Sequence, residues 1–303
     1  MGGLEGLPSW AASRLRHDGG RAPRRGEPRR MSPLPRAARE ARKGDFFVRY
    51  RRRGERRILY GRLKSATTIA GFDGSVDRVE EVVWLPPVSP RKIIAVGLND
   101  REHALEMGKP LPREPLLFLK AVTALAAHED PVVTPKASSR VDYEGEIALV
   151  VGRFADHILP REARSHIFGI CAANDITARD LQASDVQYTR AKSFPGFCPV
   201  GPAVEVGGTP DGRTLVTRVN GEIRQEGRVS SQIFGWEDLV SYISHMMPLE
   251  PGDLVLTGTY RGVGAVTAGD RVTVEVSGLG MIPLSNTFVA DPRPGLAGRW
   301  PGK

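Results

Sequence analysis

The stretch Val141-Asp142-Tyr143-Glu144-Gly145-Glu146-Ile147-Ala148-Leu149-Val150-Val151 opens on carboxylates and closes on an unbroken apolar run. Its second half, Ile147 to Val151, reads as a β-strand leaving a carboxylate-bearing edge. Period-two geometry points Glu144 and Glu146 to one face, which Ala148 and Val150 continue. Two like charges that close repel, so such a pair calls for a cation or a shared proton. On the pair alone, a solvated strand edge carrying two glutamates stays equally open.

Downstream, Ile170-Cys171-Ala172-Ala173-Asn174-Asp175 ends a second apolar run in Asn-Asp, before a polar helix that begins near Thr177-Ala178-Arg179-Asp180-Leu181-Gln182. Asp175 at that place either caps the helix or binds a cation. Three carboxylates together form a hard oxygen site, suited to Mg²⁺, Mn²⁺ or Ca²⁺ rather than zinc. Upstream, His103 and Glu106 stand at i and i+3 on a short helix after Gly97-Leu98-Asn99, so their side chains are neighbours. A carboxylate beside an imidazole raises its pKa and fixes its orientation, as a general base requires. A lone histidine is usually structural, and His128, His157, His166 and His245 take that reading.

The rest of the chain is strand-rich. Phe46-Phe47-Val48-Arg49-Tyr50 and Ile58-Leu59-Tyr60 flank a charged turn at Gly54, a hairpin pattern. Further strand-like pieces run to the linker Leu85-Pro86-Pro87-Val88-Ser89-Pro90. Asn220-Gly221 between alternating residues signals another hairpin. Trp236, Leu239, Val240, Ile243, Met246 and Met247 share a helical face closed by Pro248, as expected of a core-packing helix. There is no regular βαβ alternation and no internal repeat. The expected class is α+β, rich in β.

Composition narrows the function. The 303 residues are 40% hydrophobic and 26% charged, ordinary for a globular protein. No apolar run approaches the ~18 residues of a membrane span. Two cysteines, Cys171 and Cys198, make neither a disulfide scaffold nor a four-thiolate zinc site. The net charge is +8, but residues 1–57 hold 17 Lys and Arg against 6 Asp and Glu. The remainder is slightly acidic, so nucleic-acid binding through a basic tail is the outlying alternative. Residues 1–44, rich in Gly, Pro and Arg, are expected to be a disordered basic tail without the apolar core of a secretory signal. Gly6 removes the Ser or Thr of a myristoylation signal. Glu5, Asp18 and Glu27 count against an Arg-rich transit peptide. The default compartment is the cytoplasm. The P-loop is absent. Gly262-Val263-Gly264 is followed by Thr267 where a dinucleotide fingerprint needs glycine. Neither a Gly-x-Ser-x-Gly elbow nor a His-Glu-x-x-His helix occurs.

Five motifs in order resemble the fumarylacetoacetate hydrolase superfamily, particularly bacterial 2-hydroxyhepta-2,4-diene-1,7-dioate isomerase and acylpyruvase-like members. They are Gly97-Leu98-Asn99 with His103 and Glu106, Tyr143-Glu144-Gly145-Glu146, Asn174-Asp175-Ile176-Thr177-Ala178-Arg179-Asp180, Ala191-Lys192-Ser193-Phe194 and Leu256-Thr257-Gly258-Thr259. The resemblance implies a β-rich α+β roll over residues 91–290, a small N-terminal β module over 45–90, a C-terminal tail over 291–303, and a homodimer. It implies that Glu144, Glu146 and Asp175 are ligands to Mg²⁺ or Mn²⁺. It makes His103 and Glu106 a catalytic dyad on a lid, with Lys192 beside them, and gives Gln182, Thr259 and Asn99 to the substrate. Tyr260 stands where family members often have proline, and Asp100 where they usually have an aromatic. The implied activity is metal-dependent chemistry on 2-oxo or 2,4-dioxo acids through an enolate. The dyad favours C–C hydrolysis of acylpyruvate-type acids. Isomerisation or decarboxylation of dienedioates in aromatic catabolism, or decarboxylation of oxaloacetate, are neighbouring outcomes, and a catalytically inactive scaffold that keeps its metal is a third reading.

Overall fold

The structure is a computed structural model that describes residues 34–293. The expectations for residues 1–33 and 294–303 therefore lie outside the described residues. In chain order the strands are β1 (Phe46–Arg52), β2 (Leu59–Ser65), β3 (Thr68–Gly71), β4 (Val76–Arg78) and β5 (Val82–Leu85). Next come β6 (Ile93–Gly97), β7 (Leu116–Lys120), β8 (Leu125–Ala126), β9 (Val132–Thr134), β10 (Val141–Tyr143) and β11 (Gly145–Val151). Then follow β12 (Ile167–Asn174), β13 (Thr177–Ala178), β14 (Cys198–Val206), β15 (Thr214–Val219) and β16 (Glu222–Arg228). The last four are β17 (Leu254–Leu256), β18 (Gly264–Val266), β19 (Arg271–Val276) and β20 (Leu284–Ala290). Among the described residues only short helices accompany them, the longest being Trp236–Met246. The class is α+β and rich in β.

The main sheet runs β4-β3-β2-β1-β14-β12-β11-β17-β6-β7, with β5 on β1 and β8 on β14. Strand β11 lies near its middle. Antiparallel β12 flanks it with Glu146 opposite Ala173, and antiparallel β17 with Ala148 opposite Leu256. All seven residues of β11 are buried, because the five-stranded sheet β16-β15-β19-β20-β9 packs over it through β15 and β19. An unbroken apolar run is what burial on both faces requires. Gly145 is needed for that approach: a Cβ there would come 2.0 Å from Thr217 Oγ1. In the third sheet, β13-β10-β18, strand β10 ends at Tyr143 and a single residue separates it from β11. Glu144 is that residue, so it marks the point where the chain passes from one sheet to the next.

Local signals place several elements well. Arg49 of β1 faces Tyr60 of β2, the hairpin expected around Gly54. Asn220 and Gly221 have φ of 51° and 86°, and Val219 pairs with Glu222 across them. In the Trp236–Met246 helix, Trp236, Leu239, Val240 and Ile243 are buried. Met246, expected on that face, is instead exposed in the last turn. Residues 45–90 form strands as expected, but their sheet does not close on itself: β1 pairs with β14, Val48 opposite Ala203. The tail expected to run to residue 44 is already ordered over its described part. Ala38, in the turn Arg36–Arg39, is buried in the core with Leu34 and Ala41 against it.

Candidate active site and metal centre

The carboxylates come from three places in the sheets. Glu144 sits at the β10–β11 junction, Glu146 on β11, and Asp175 just after β12. The register that puts Gly145 opposite Asn174 brings them together. Glu144 N donates to Asn174 Oδ1 at 2.9 Å, and Asp175 N to Glu144 O at 2.8 Å. One oxygen from each of the three carboxylates lies within 4.8 Å of the others, and all three residues are buried. Asp175 does not cap the following helix, whose N-cap is Ala178.

Two buried lysines and the half-buried Arg179 meet this cluster. Lys192 Nζ bridges Glu144 Oε2 at 2.8 Å and Asp175 Oδ2 at 2.6 Å. Lys120 Nζ lies 2.5 Å from Asp175 Oδ1. Arg179 spans Glu144 Oε1 at 2.6 Å and Asp142 Oδ2 at 2.9 Å. Burial by itself would raise the pKa of Glu144, but the Lys192 and Arg179 charges outweigh it and hold it down at about 2. Glu146 has no cationic partner among the described residues. Burial, then the Asp175 and Glu144 charges, push its pKa well above the ordinary range, against the weaker pull of the Lys192 charge and of the Gly258 N–H, which donates to Oε2 at 2.7 Å. Burial alone would lower the Lys192 pKa, yet the Asp175 and Glu144 charges keep it raised.

A buried carboxylate that lacks a counter-charge beside two others is a cation-shaped deficit. The donors are all hard oxygens. At metal–oxygen distances of roughly 2.1 Å for Mg²⁺, two ligand oxygens lie at most about 4.2 Å apart. The observed spacing comes within a small adjustment of that, so these three residues fit Mg²⁺ or Mn²⁺.

The dyad comes from the short helix Arg101–Glu106, which starts where Asp100 accepts the His103 N–H at 2.8 Å. His103 is buried, and its Nδ1 lies 3.0 Å from Glu106 Oε2. With Glu106 ionised, Nδ1 carries the proton and Nε2 is left basic. The Gly262 N–H, at 3.0 and 3.1 Å, holds Glu106 from the other side. The cavity beside the cluster measures about 90 Å³. Its lining includes His103, the three carboxylates, Lys192, Arg179, Gln182 and Thr259. Of the expected dyad, His103 lines this cavity together with the three carboxylates, Lys192, Gln182 and Thr259, while Glu106 stands behind His103 and does not line it.

Asn99 is the exception. Its Nδ2 donates to Thr257 O at 2.7 Å and Phe234 O at 3.2 Å, while Oδ1 accepts from Phe234 N. Both amide hydrogens are committed to main chain and Asn99 does not line the cavity, so it ties the Arg101–Glu106 helix to the Thr257 loop. Sequence reading overlooked Lys120 and gave Arg179 no role. Lys120 ends the apolar strand Leu116-Leu117-Phe118-Leu119-Lys120, and a charge closing such a strand is a weak signal for a buried partner. Phe118 and Tyr188 complete one wall, their rings meeting edge-on at 5.5 Å.

Comparison with known proteins follows from this geometry. Residues 92–289 match the family model for the fumarylacetoacetate (FAA) hydrolase C-terminal domain. The chain is 44% identical to an uncharacterised protein of Archaeoglobus fulgidus, over 77% of this chain and 92% of that one. It is 37% identical to a mitochondrial oxaloacetate tautomerase of Homo sapiens, FAHD2A, over 67% of this chain and 68% of that one. Among solved structures it is similar to a 5-carboxymethyl-2-hydroxymuconate delta-isomerase from Mycobacterium smegmatis, with a TM-score of 0.75 and 34% identity. That likeness covers 82% of this chain and 100% of the other.

Proposed function

Because the chain belongs to the fumarylacetoacetate hydrolase family, we propose that it is a divalent-metal-dependent enzyme that acts on 2-oxo acids through their enol form. One observation carries the proposal: three buried carboxylates, one of them without a counter-charge, share a cavity with a histidine oriented by a glutamate.

Glu144, Glu146 and Asp175 would hold Mg²⁺ or Mn²⁺, which when bound would supply Lewis-acid stabilisation of the charge that develops on the oxo acid. Lys192 places a further positive charge by the same oxygens. His103 Nε2 takes a proton from the carbon next to the 2-oxo group, or from water, and Glu106 stabilises the imidazolium that results. Gln182 and Thr259 orient substrate oxygens. Thr259 is itself fixed, donating to Gly145 O and accepting from Gln225 Nε2, both at 2.9 Å. Asn99 acts at one remove, through the helix that carries His103.

Two outcomes follow from this first proton transfer. With water beside His103, attack on a second carbonyl breaks the C–C bond of an acylpyruvate-type acid. With water excluded, the proton returns to another atom and the acid is tautomerised or isomerised, or it loses CO₂. The tautomerase and isomerase among the similar proteins favour the second outcome. So does a cavity of about 90 Å³, which must hold water as well as substrate for hydrolysis.

The test follows enol absorbance with acetylpyruvate, fumarylpyruvate, oxaloacetate and a hydroxy-dienedioate, first with Mg²⁺ and then with EDTA. Mg²⁺-dependent turnover of any member is expected, and product analysis assigns the outcome. Absence of both turnover and metal binding would overturn the proposal.

A further inference from the structure

We propose that Lys109 determines specificity by pairing with a second carboxylate on the substrate, so that the site selects a short 2-oxo dicarboxylate over a monoanionic oxo acid. The inference rests on the 2-oxo-acid reading above and names its substrate class.

Three cationic side chains line the cavity: Arg179, Lys192 and Lys109. The first two are already engaged. Arg179 donates to Asp142, Glu144 and Gln182, and Lys192 to Glu144 and Asp175. Lys109 makes no ion pair among the described residues. Its main chain is nonetheless fixed, since the Lys109 N–H donates to Ala104 O at 3.0 Å, on the helix that carries His103 and Glu106. Gly108, at φ +62°, makes the turn that brings it there.

Besides Gln182 and Thr259, which serve the oxo-acid head, the uncharged side chains of the lining are Val96, Leu98, Met107, Leu116, Phe118 and Tyr188. They form a largely apolar wall. A carboxylate pressed against that wall loses water and gains little in return, a cost that excludes it unless a cation answers it. Lys109 is the cation without a prior partner. Its side chain is exposed in the structure, so it stays hydrated until an anion draws it in. The cavity of about 90 Å³ is small beside the ~300–1,000 Å³ of a drug-sized site, which keeps the second carboxylate close to the oxo-acid head.

The test is calorimetric titration of the full chain in Mg²⁺ at fixed ionic strength with two unreactive probes. Oxamate carries the oxo-acid head alone, and N-oxalylglycine carries that head with a second carboxylate. We expect wild type to bind N-oxalylglycine more tightly. Lys109→Met should weaken N-oxalylglycine by roughly ten- to a hundredfold, the range of a charge-assisted hydrogen bond, and oxamate by under about threefold. Lys109→Arg should retain most of the preference. Equal weakening of both probes, or of neither, overturns the role of Lys109 while leaving the 2-oxo-acid reading in place. Failure of wild type to bind either probe with Mg²⁺ present overturns the 2-oxo-acid reading, and this inference with it.

Discussion

At Glu146, burial and two neighbouring carboxylates act against ionisation and outweigh the Lys192 charge and one main-chain N–H that act for it. Removing a partnerless buried charge relieves desolvation, whereas removing one member of a satisfied pair strands the other. Glu146→Gln, which can still accept from Gly258, is therefore expected to leave metal-free stability unchanged or improved. It should also abolish the rise in Tm on adding Mg²⁺, which for a site at a hundred times its Kd is worth ~2.7 kcal/mol. Thermal melts with and without metal check both halves. His103→Asn should separate binding from chemistry: the metal-induced shift in Tm stays, and kcat falls by roughly 10²–10⁴. At this scale the sequence was most legible for His103 and Glu106, because i,i+3 neighbours on one helix are fixed by local geometry. Lys120 was not, since its partner Asp175 is 55 residues away.

Among the elements, the loop after β17 carries more than its length suggests. Gly258 N reaches Glu146, Thr259 lines the cavity, and Gly262 N holds Glu106. One short segment thus touches a candidate ligand, a substrate position and the dyad. Gly258 has φ +100°, and a Cβ there would meet Asn99 Cβ at 2.6 Å. Gly269 has nearly the same φ, +102°, with nothing within 4 Å. Both Gly→Ala changes incur left-handed strain of roughly 1–2 kcal/mol. Gly258→Ala is expected to cost clearly more, because Asn99 must shift, and it alone should weaken the metal-induced Tm rise. Denaturant unfolding of the pair, with metal titration of each, checks this. The family resemblance of Leu256-Thr257-Gly258-Thr259 implied that this loop mattered. It did not show that Asn99 serves main-chain groups rather than substrate, which depends on Phe234, 135 residues away.

For the molecule as a whole, acid stability is expected to depend on His128. Burial lowers its pKa to about 4, against a smaller opposing effect of the Glu129 carboxylate, and Arg271 lowers it further. Its Nδ1 accepts the Ser285 N–H at 3.0 Å, a bond only the unprotonated nitrogen makes. The unfolded chain takes up this proton near pH 6.5, whereas the fold resists until about 4. Stability is therefore complete above pH 6.5 and declines as pH falls through that window, by up to ~3 kcal/mol. His128→Gln should flatten that decline in unfolding measured from pH 7 to 4. A second expectation concerns the amino end. Starting the chain at residue 34 should leave metal-dependent stability and turnover intact. Starting it at residue 45 removes buried Ala38 and its packing, and should lower Tm. By itself the sequence determined the strand-rich class and the proximity of His103 to Glu106, because apolar runs, turn residues and i,i+3 spacing are local properties, whereas the carboxylate set followed only from the family resemblance. The tertiary structure alone decided which cations answer which carboxylates and which carboxylate goes unanswered. Those outcomes depend on the register between β11, β12 and β17, and on contacts such as Gly258 to Glu146 across 112 residues, which local periodicity does not encode.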